Sequence, residues 1–120
     1  MNKKLIPTYR CESVFKINYE YLKSKNIINI FFDLDNTLAN PYIKTPANEI
    51  KDLIDKIKKL GFNIFIISNN HQERVELFAS FLKVNYFYEL KKPKVKKIKE
   101  IIKENSIDLS KSVFIGDQIM

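Results

Sequence analysis

Three short apolar runs give way abruptly to polar residues, and these breaks organise the chain. Residues 27–32, with Asn29 among them, stop at Asp33-Leu34-Asp35-Asn36-Thr37-Leu38; residues 62–67 stop at Ser68-Asn69-Asn70; residues 113–115 stop at Gly116-Asp117-Gln118. Brief runs rich in Ile, Val and Phe read as buried strands. The intervening segments carry the helical period instead. Thr45 and Pro46 suit a cap and first turn, Ile50, Leu53, Ile54, Ile57 and Leu60 recur at helical spacing, and Gly61 closes that helix. A second helix is predicted over residues 71–82, with Val75, Phe78, Ala79 and Leu82 inward. A short strand follows over 85–89, then a helix over 94–104 on Val95, Ile98, Ile101 and Ile102. Residues 1–26 read as an irregular lead with a short helix near Asn18 to Lys25, whose Tyr19 and Leu22 face the sheet edge. Strands alternating with helices predict an α/β fold with a mostly parallel sheet, as one domain over residues 1–120.

The strand ends carry the chemistry. In such sheets ligands bind beyond the carboxyl ends of the strands, and alternation puts Asp33 and Asp35 on one side of theirs. Two carboxylates that close call for a cation, and Mg²⁺, which takes oxygen ligands and meets substrates through phosphate oxygens, suits them. Acid, hydroxyl, lysine and acid (Asp33, Ser68, Lys92, Asp117) follow at intervals of 35, 24 and 25 residues. Each interval is about one strand plus one returning helix, so right-handed crossovers would gather all four at one sheet edge.

This ordered set resembles the haloacid dehalogenase superfamily, specifically its capless subfamily IIIA phosphatases of the YqeG-like type. The likeness runs from Leu5-Ile6-Pro7 to Gln118, through Asp-Asn-Thr-Leu, Ser-Asn-Asn, Lys-Lys-Pro and Gly-Asp-Gln. It implies a Rossmann-like three-layer sandwich and Mg²⁺-dependent hydrolysis of phosphate monoesters through an aspartyl-phosphate. By the same resemblance Asp33 is the nucleophile, Asp35 the general acid and base, Ser68 a phosphate ligand and Lys92 the charge clamp. Asp33, Asp117 and the main-chain carbonyl of Asp35 would hold the metal. Thr37, with a hydroxyl suited to fixing the turn, and Asn69, opening the next helix with Asn70, join them around the substrate. Singly, each residue has a plainer account: Asp and Asn are ordinary turn formers, and Asn70 with Glu73 reads as a helix cap.

Composition narrows the setting. No apolar stretch reaches membrane-spanning length, and the N-terminus lacks the apolar segment of a signal peptide. Cys11, the only cysteine, and His71, the only histidine, make a disulfide framework or zinc site implausible and a cytoplasmic setting natural. The net charge is +7, and Lys91, Lys92, Lys94, Lys96, Lys97, Lys99 and Lys103 cluster beside the expected site. Such a surface attracts polyanions: anionic phospholipid at the inner membrane surface first, nucleic acid second. A genome base composition that favours lysine over arginine explains the cluster equally well.

The short connections leave no room for a lid domain, so an open site is expected, suited to a phosphate on something large. Among the resembled family are phosphatidylglycerophosphate phosphatases. That family continues past Gly-Asp-Gln with another acid, a helix and a strand, whereas this sequence ends at Met120. The expectation is a core lacking its last strand and helix, with one sheet edge unpaired and one face uncovered. The alternative to a phosphatase is a non-catalytic phosphate- or partner-binding remnant. A receiver-type signalling domain ranks last, because both acids sit on the first strand.

Overall fold

The structure, a computed structural model, describes residues 8–10, 13–90 and 94–116. Its five strands are β1 (Thr8–Arg10), β2 (Asn29–Asp33), β3 (Asn63–Ile67), β4 (Asn85–Phe87) and β5 (Ser112–Gly116). Its helices are α1 (Tyr19–Ser24), α2 (Asn48–Lys59), α3 (Gln72–Leu82) and α4 (Lys94–Glu104). The strands form one sheet in the order β1-β5-β2-β3-β4, parallel at every pairing. From β2 the chain steps outward through β3 to β4, then returns to the other side of β2 as β5. Parallel crossovers keep one hand, so this reversal puts α2 and α3 on one face and α4 on the other.

Side-chain alternation serves both faces. Ile30, Phe32, Ile64, Ile66, Val113 and Ile115 join the core beneath α1, α2 and α3, which contribute Tyr19, Leu22, Ile50, Ile54, Ile57, Val75, Phe78, Ala79 and Leu82. Phe31, Phe65, Ile67 and Phe114 face Ile98, Ile101 and Ile102 of α4. The Phe31 and Phe65 rings stack at 4.8 Å between centroids. Each fully buried chain of this size stabilises the fold by about 1.5–3 kcal/mol relative to exposure. The predicted helix faces are therefore the observed ones, save Val95, whose side chain lies outside the described residues. Leu53 and Leu60 are only partly buried.

Several expectations need correction. The lead segment is not wholly irregular: β1 pairs with β5, Thr8 opposite Phe114 and Arg10 opposite Gly116. β5 therefore has neighbours on both sides, and the edge expected to be unpaired there is occupied. Nor is the second face bare, since Phe31, Phe65, Ile67 and Phe114 are all buried. α2 starts at Asn48 after an Ala47 cap that makes no side-chain bond, two residues beyond Thr45. Pro46 is buried ahead of it, and the chain turns into the helix only after that anchor. Gly61 does close α2, with a left-handed φ of 97° that disfavours any side chain. Asn29 is no break in its strand. At 4% exposure it donates through Nδ2 to Ser112 Oγ (3.2 Å) and accepts from Asn63 Nδ2 (3.0 Å), a polar pin across the amino edge of three paired strands.

Candidate active site

β2 lies where strand order reverses, the place at which open α/β sheets bind ligands. Its last residue, Asp33, is opposite Ile67 of β3 and is 9% exposed. On the other flank β5 ends at Gly116, where an added Cβ would lie 3.3 Å from Asp33 Cβ and 2.9 Å from the Phe114 ring. That close approach requires glycine.

After Asp33 the chain folds into a tight turn. The Leu34 N–H donates to Ile67 O, the N–H groups of Thr37 and Leu38 return to Leu34 O at 3.2 and 3.0 Å, and Asn36 N donates to Ala39 O at 2.8 Å. Asn36 takes a left-handed φ of 65°, which Asn tolerates better than most residues. The Thr37 hydroxyl does not fix this turn, contrary to expectation. Its Oγ1 is buried without a hydrogen-bond partner among the described residues, and Thr37 lines a cavity with Ser13, Asn40 and Glu49. Backbone bonds alone suffice to close the turn.

Asp35 is held from the β3–α3 connection. Asn70 Nδ2 donates to Asp35 Oδ2 at 3.1 Å, and Arg74 Nη2 donates to Asp35 Oδ1 at 3.0 Å. Arg74 also donates to the carbonyls of Asn40 and Ile43. Its guanidinium lies 5.4 Å from the Phe78 ring centroid. Ser68, at the end of β3 and 1% exposed, accepts the Asn70 N–H at 3.0 Å. A hydroxyl accepting one bond can still donate another, as a phosphate ligand must. Asn69 is exposed, and the cap of α3 is His71, without a side-chain bond. Of the Asn-Asn pair, then, Asn70 engages the acids, and it does so as a donor to Asp35 instead of capping the helix.

Arg74 is thus the partner that sequence reasoning left out, and Asn70, read there only as opening or capping the helix, is the other. A signal did exist: Arg74 is one of only two arginines in a chain whose Lys and Arg together number 21. Where lysine is the default cation, an arginine marks a place that uses a planar, several-fold donor. Lys92 and Asp117 lie outside the described residues, as does Cys11. Of the lysine cluster, Lys96, Lys97, Lys99 and Lys103 are exposed on α4. That helix runs back toward the amino edge of the sheet, so at about 1.5 Å per residue its later lysines recede from the acids rather than lining the site.

The donor set suits Mg²⁺. Asp33 has carboxylate oxygens and the Asp35 side chain is engaged by Arg74 and Asn70, so a bound Mg²⁺ would find its hard oxygen donors in the Asp33 carboxylate and the Asp35 main-chain carbonyl. Among the described residues no three acidic, histidine or cysteine side chains gather, so a third protein carboxylate would have to come from elsewhere in the chain. Beside the site, Pro41, Tyr42, Lys44, His71, Arg74, Leu77 and Glu89 line an open cleft of about 780 Å³. Arg74 is shared by the cleft wall and the Asp35 carboxylate. No helix among the described residues is long and apolar enough to cross a membrane.

A parallel sheet with acids at the carboxyl end of its central strand defines a class, and sequence comparison supplies the family. The haloacid dehalogenase-like hydrolase family model matches residues 41–120, and the chain belongs to that family. It is 29% identical over 120 residues to the probable phosphatase YqeG of Bacillus subtilis, spanning the whole of this chain and 70% of that protein. The YqeG-like resemblance drawn from the motifs is borne out. A solved hypothetical protein from Xanthomonas campestris shares the fold with a TM-score of 0.62 at 16% identity, over 88% of this chain and 63% of that one. The chain is a hydrolase, and phosphoester hydrolysis is the activity to which these likenesses point.

Proposed function

We propose that this hydrolase is a Mg²⁺-dependent phosphomonoesterase of the capless subfamily IIIA type that works through a phosphorylated Asp33. The observation that carries the reading is the setting of Asp33, nearly buried at the carboxyl edge of the central strand, beside Gly116 and one register step from buried Ser68. A Asp33 carboxylate oxygen attacks phosphorus and the bond to the ester oxygen breaks, splitting one hard displacement into two easier ones. Asp35 gives its proton to the departing alkoxide, then takes one from the water that attacks the aspartyl-phosphate and releases inorganic phosphate. Ser68 and Lys92 bind the phosphoryl oxygens, and Asn69 joins them in contacting the substrate. Asp33, the Asp35 carbonyl and Asp117 would hold Mg²⁺, which would supply positive charge to offset the repulsion between carboxylate and phosphate.

The favoured substrate is a phosphate monoester on an amphiphile, phosphatidylglycerophosphate in particular. In support, the cleft rim carries exposed Tyr42 and Leu77, with Ile43 exposed between Tyr42 and Lys44. Exposed apolar side chains beside Lys44 suit the boundary between headgroups and acyl chains.

Phosphate release from phosphatidylglycerophosphate in detergent micelles with Mg²⁺ tests the reading. Wild type should turn over and Asp33→Asn should lose at least about 10³-fold. Equal hydrolysis by the variant overturns the nucleophile, and hydrolysis of soluble sugar phosphates in preference to the lipid overturns the substrate.

A further inference from the structure

Arg74 grips three things at once. It stands in the first turn of α3, with a side chain 11% exposed that meets Asp35 at 3.0 Å, and it reaches the carbonyls of Asn40 and Ile43 in the loop leading to α2. Phe78, one turn along the helix and fully buried, lies under the guanidinium. Asn70 holds the second Asp35 oxygen. Both carboxylate oxygens therefore take their direction from donors on the β3–α3 segment, not from the turn that carries Asp35 itself. A guanidinium presents its donors in a fixed plane, so fastening part of the fork to two main-chain carbonyls fixes the direction of the remainder.

We propose that Arg74 is the positioning residue for proton transfer: anchored on the Asn40 and Ile43 carbonyls and the Phe78 ring, it aims the Asp35 carboxyl at the oxygen of the leaving group. The inference rests on the phosphatase reading above and deepens it. Arg74 touches no reacting atom; it acts through Asp35. Its contribution to the first step must therefore scale with the leaving group's need for a proton. An alkoxide is too basic to depart unaided, whereas nitrophenolate leaves without help. A residue that merely stapled the loop would affect both esters alike.

The test compares the full chain with Arg74→Gln, Arg74→Lys, Asp35→Asn and the Arg74→Gln/Asp35→Asn double variant. Each is assayed on phosphatidylglycerophosphate micelles, an alkyl ester, and on p-nitrophenyl phosphate, an aryl ester. Arg74→Gln should lower kcat/KM, which reports departure of the leaving group and not the later hydrolysis of the aspartyl-phosphate, about 10²-fold on the alkyl ester, the scale of general acid catalysis. On the aryl ester kcat/KM should fall only a few-fold. Arg74→Lys should recover part of the alkyl loss, and Arg74→Gln should cost nothing more once Asp35 is Asn. Equal losses on both esters, or full additivity with Asp35→Asn, overturn the proposal and leave a loop staple. If Arg74→Gln fails to fold by circular dichroism, Arg74→Lys carries the comparison, and an unchanged alkyl-to-aryl ratio in it has the same force. A wild type that hydrolyses neither ester removes the phosphatase reading and this proposal together, an outcome distinct from equal losses in an active enzyme.

Discussion

The side-chain amide of Asn70 donates to Asp35 Oδ2 across 3.1 Å, while its own N–H is taken by Ser68 Oγ at 3.0 Å. One residue thus links the hydroxyl at the end of β3 to the second acid beyond β2. Its neighbour Asn69 is exposed. Asn70→Ala should lower kcat on an alkyl phosphate about tenfold or more, whereas Asn69→Ala should act chiefly on KM. Steady-state kinetics of the two single variants check the contrast.

Gly116 has no room for a methyl group. A Cβ there meets the buried Phe114 ring at 2.9 Å and Asp33 at 3.3 Å. Overpacking of this kind costs about 1–3 kcal/mol, so Gly116→Ala should lower the urea midpoint. Because the displaced atoms include Asp33, activity should fall further than stability does; a variant that is less stable but fully active would contradict the close approach.

The pin at the opposite edge is structural. Asn29→Leu removes the acceptor of Asn63 Nδ2 and one of the two bonds of Ser112 Oγ, which keeps its bond to the Asp108 carbonyl, and each net hydrogen bond lost costs about 0.5–1.5 kcal/mol. Denaturant unfolding should show that loss. Phosphatase activity per folded molecule should be unchanged, since this edge lies at the far ends of the strands from Asp33.

Mg²⁺ should stabilise the chain by mass action. At about a hundredfold over its dissociation constant a ligand adds about 2.7 kcal/mol, read as a rise in Tm. EDTA should reverse the rise, and Asp33→Asn should abolish it. A rise of the same size in that variant would place the ion elsewhere.

Alkaline pH tests Tyr86. Its phenol is pushed above the usual 10.0 by burial first and by the neighbouring Glu76 carboxylate second. A raised value means the folded state favours the neutral phenol, so this contribution is whole below about pH 10 and is lost as pH climbs through the folded-state value. Tyr86→Phe should make denaturant midpoints less sensitive to pH in that range.

The features legible in the sequence were those written in local periodicity. The spacing of Val75, Phe78, Ala79 and Leu82 names a buried helix face, and the sudden change at Asp33 names a strand end, because each reports burial of neighbouring positions. β1 could not be read this way. Its membership of the sheet rests on backbone pairing to β5, a long-range contact that local periodicity does not report. Arg74 was hidden for a different reason. Its partners Asp35, Asn40 and Ile43 lie 31 to 39 residues away, and only tertiary folding turns an exposed-looking helix cation into the companion of an acid. Asn69 and Asn70 are chemically identical, so their division of labour depends on backbone direction alone.

In the sheet order β1-β5-β2-β3-β4, β2 is flanked by two strands on either side. Fluctuations that peel such a sheet begin at the outside, where fewest amides must let go. The strand bearing Asp33 should thereby be the last to exchange its amides with solvent, an order that native-state hydrogen exchange reads directly. The lasting order of the Asp33 carboxylate would then come from its rank in the unzipping sequence as much as from its immediate contacts.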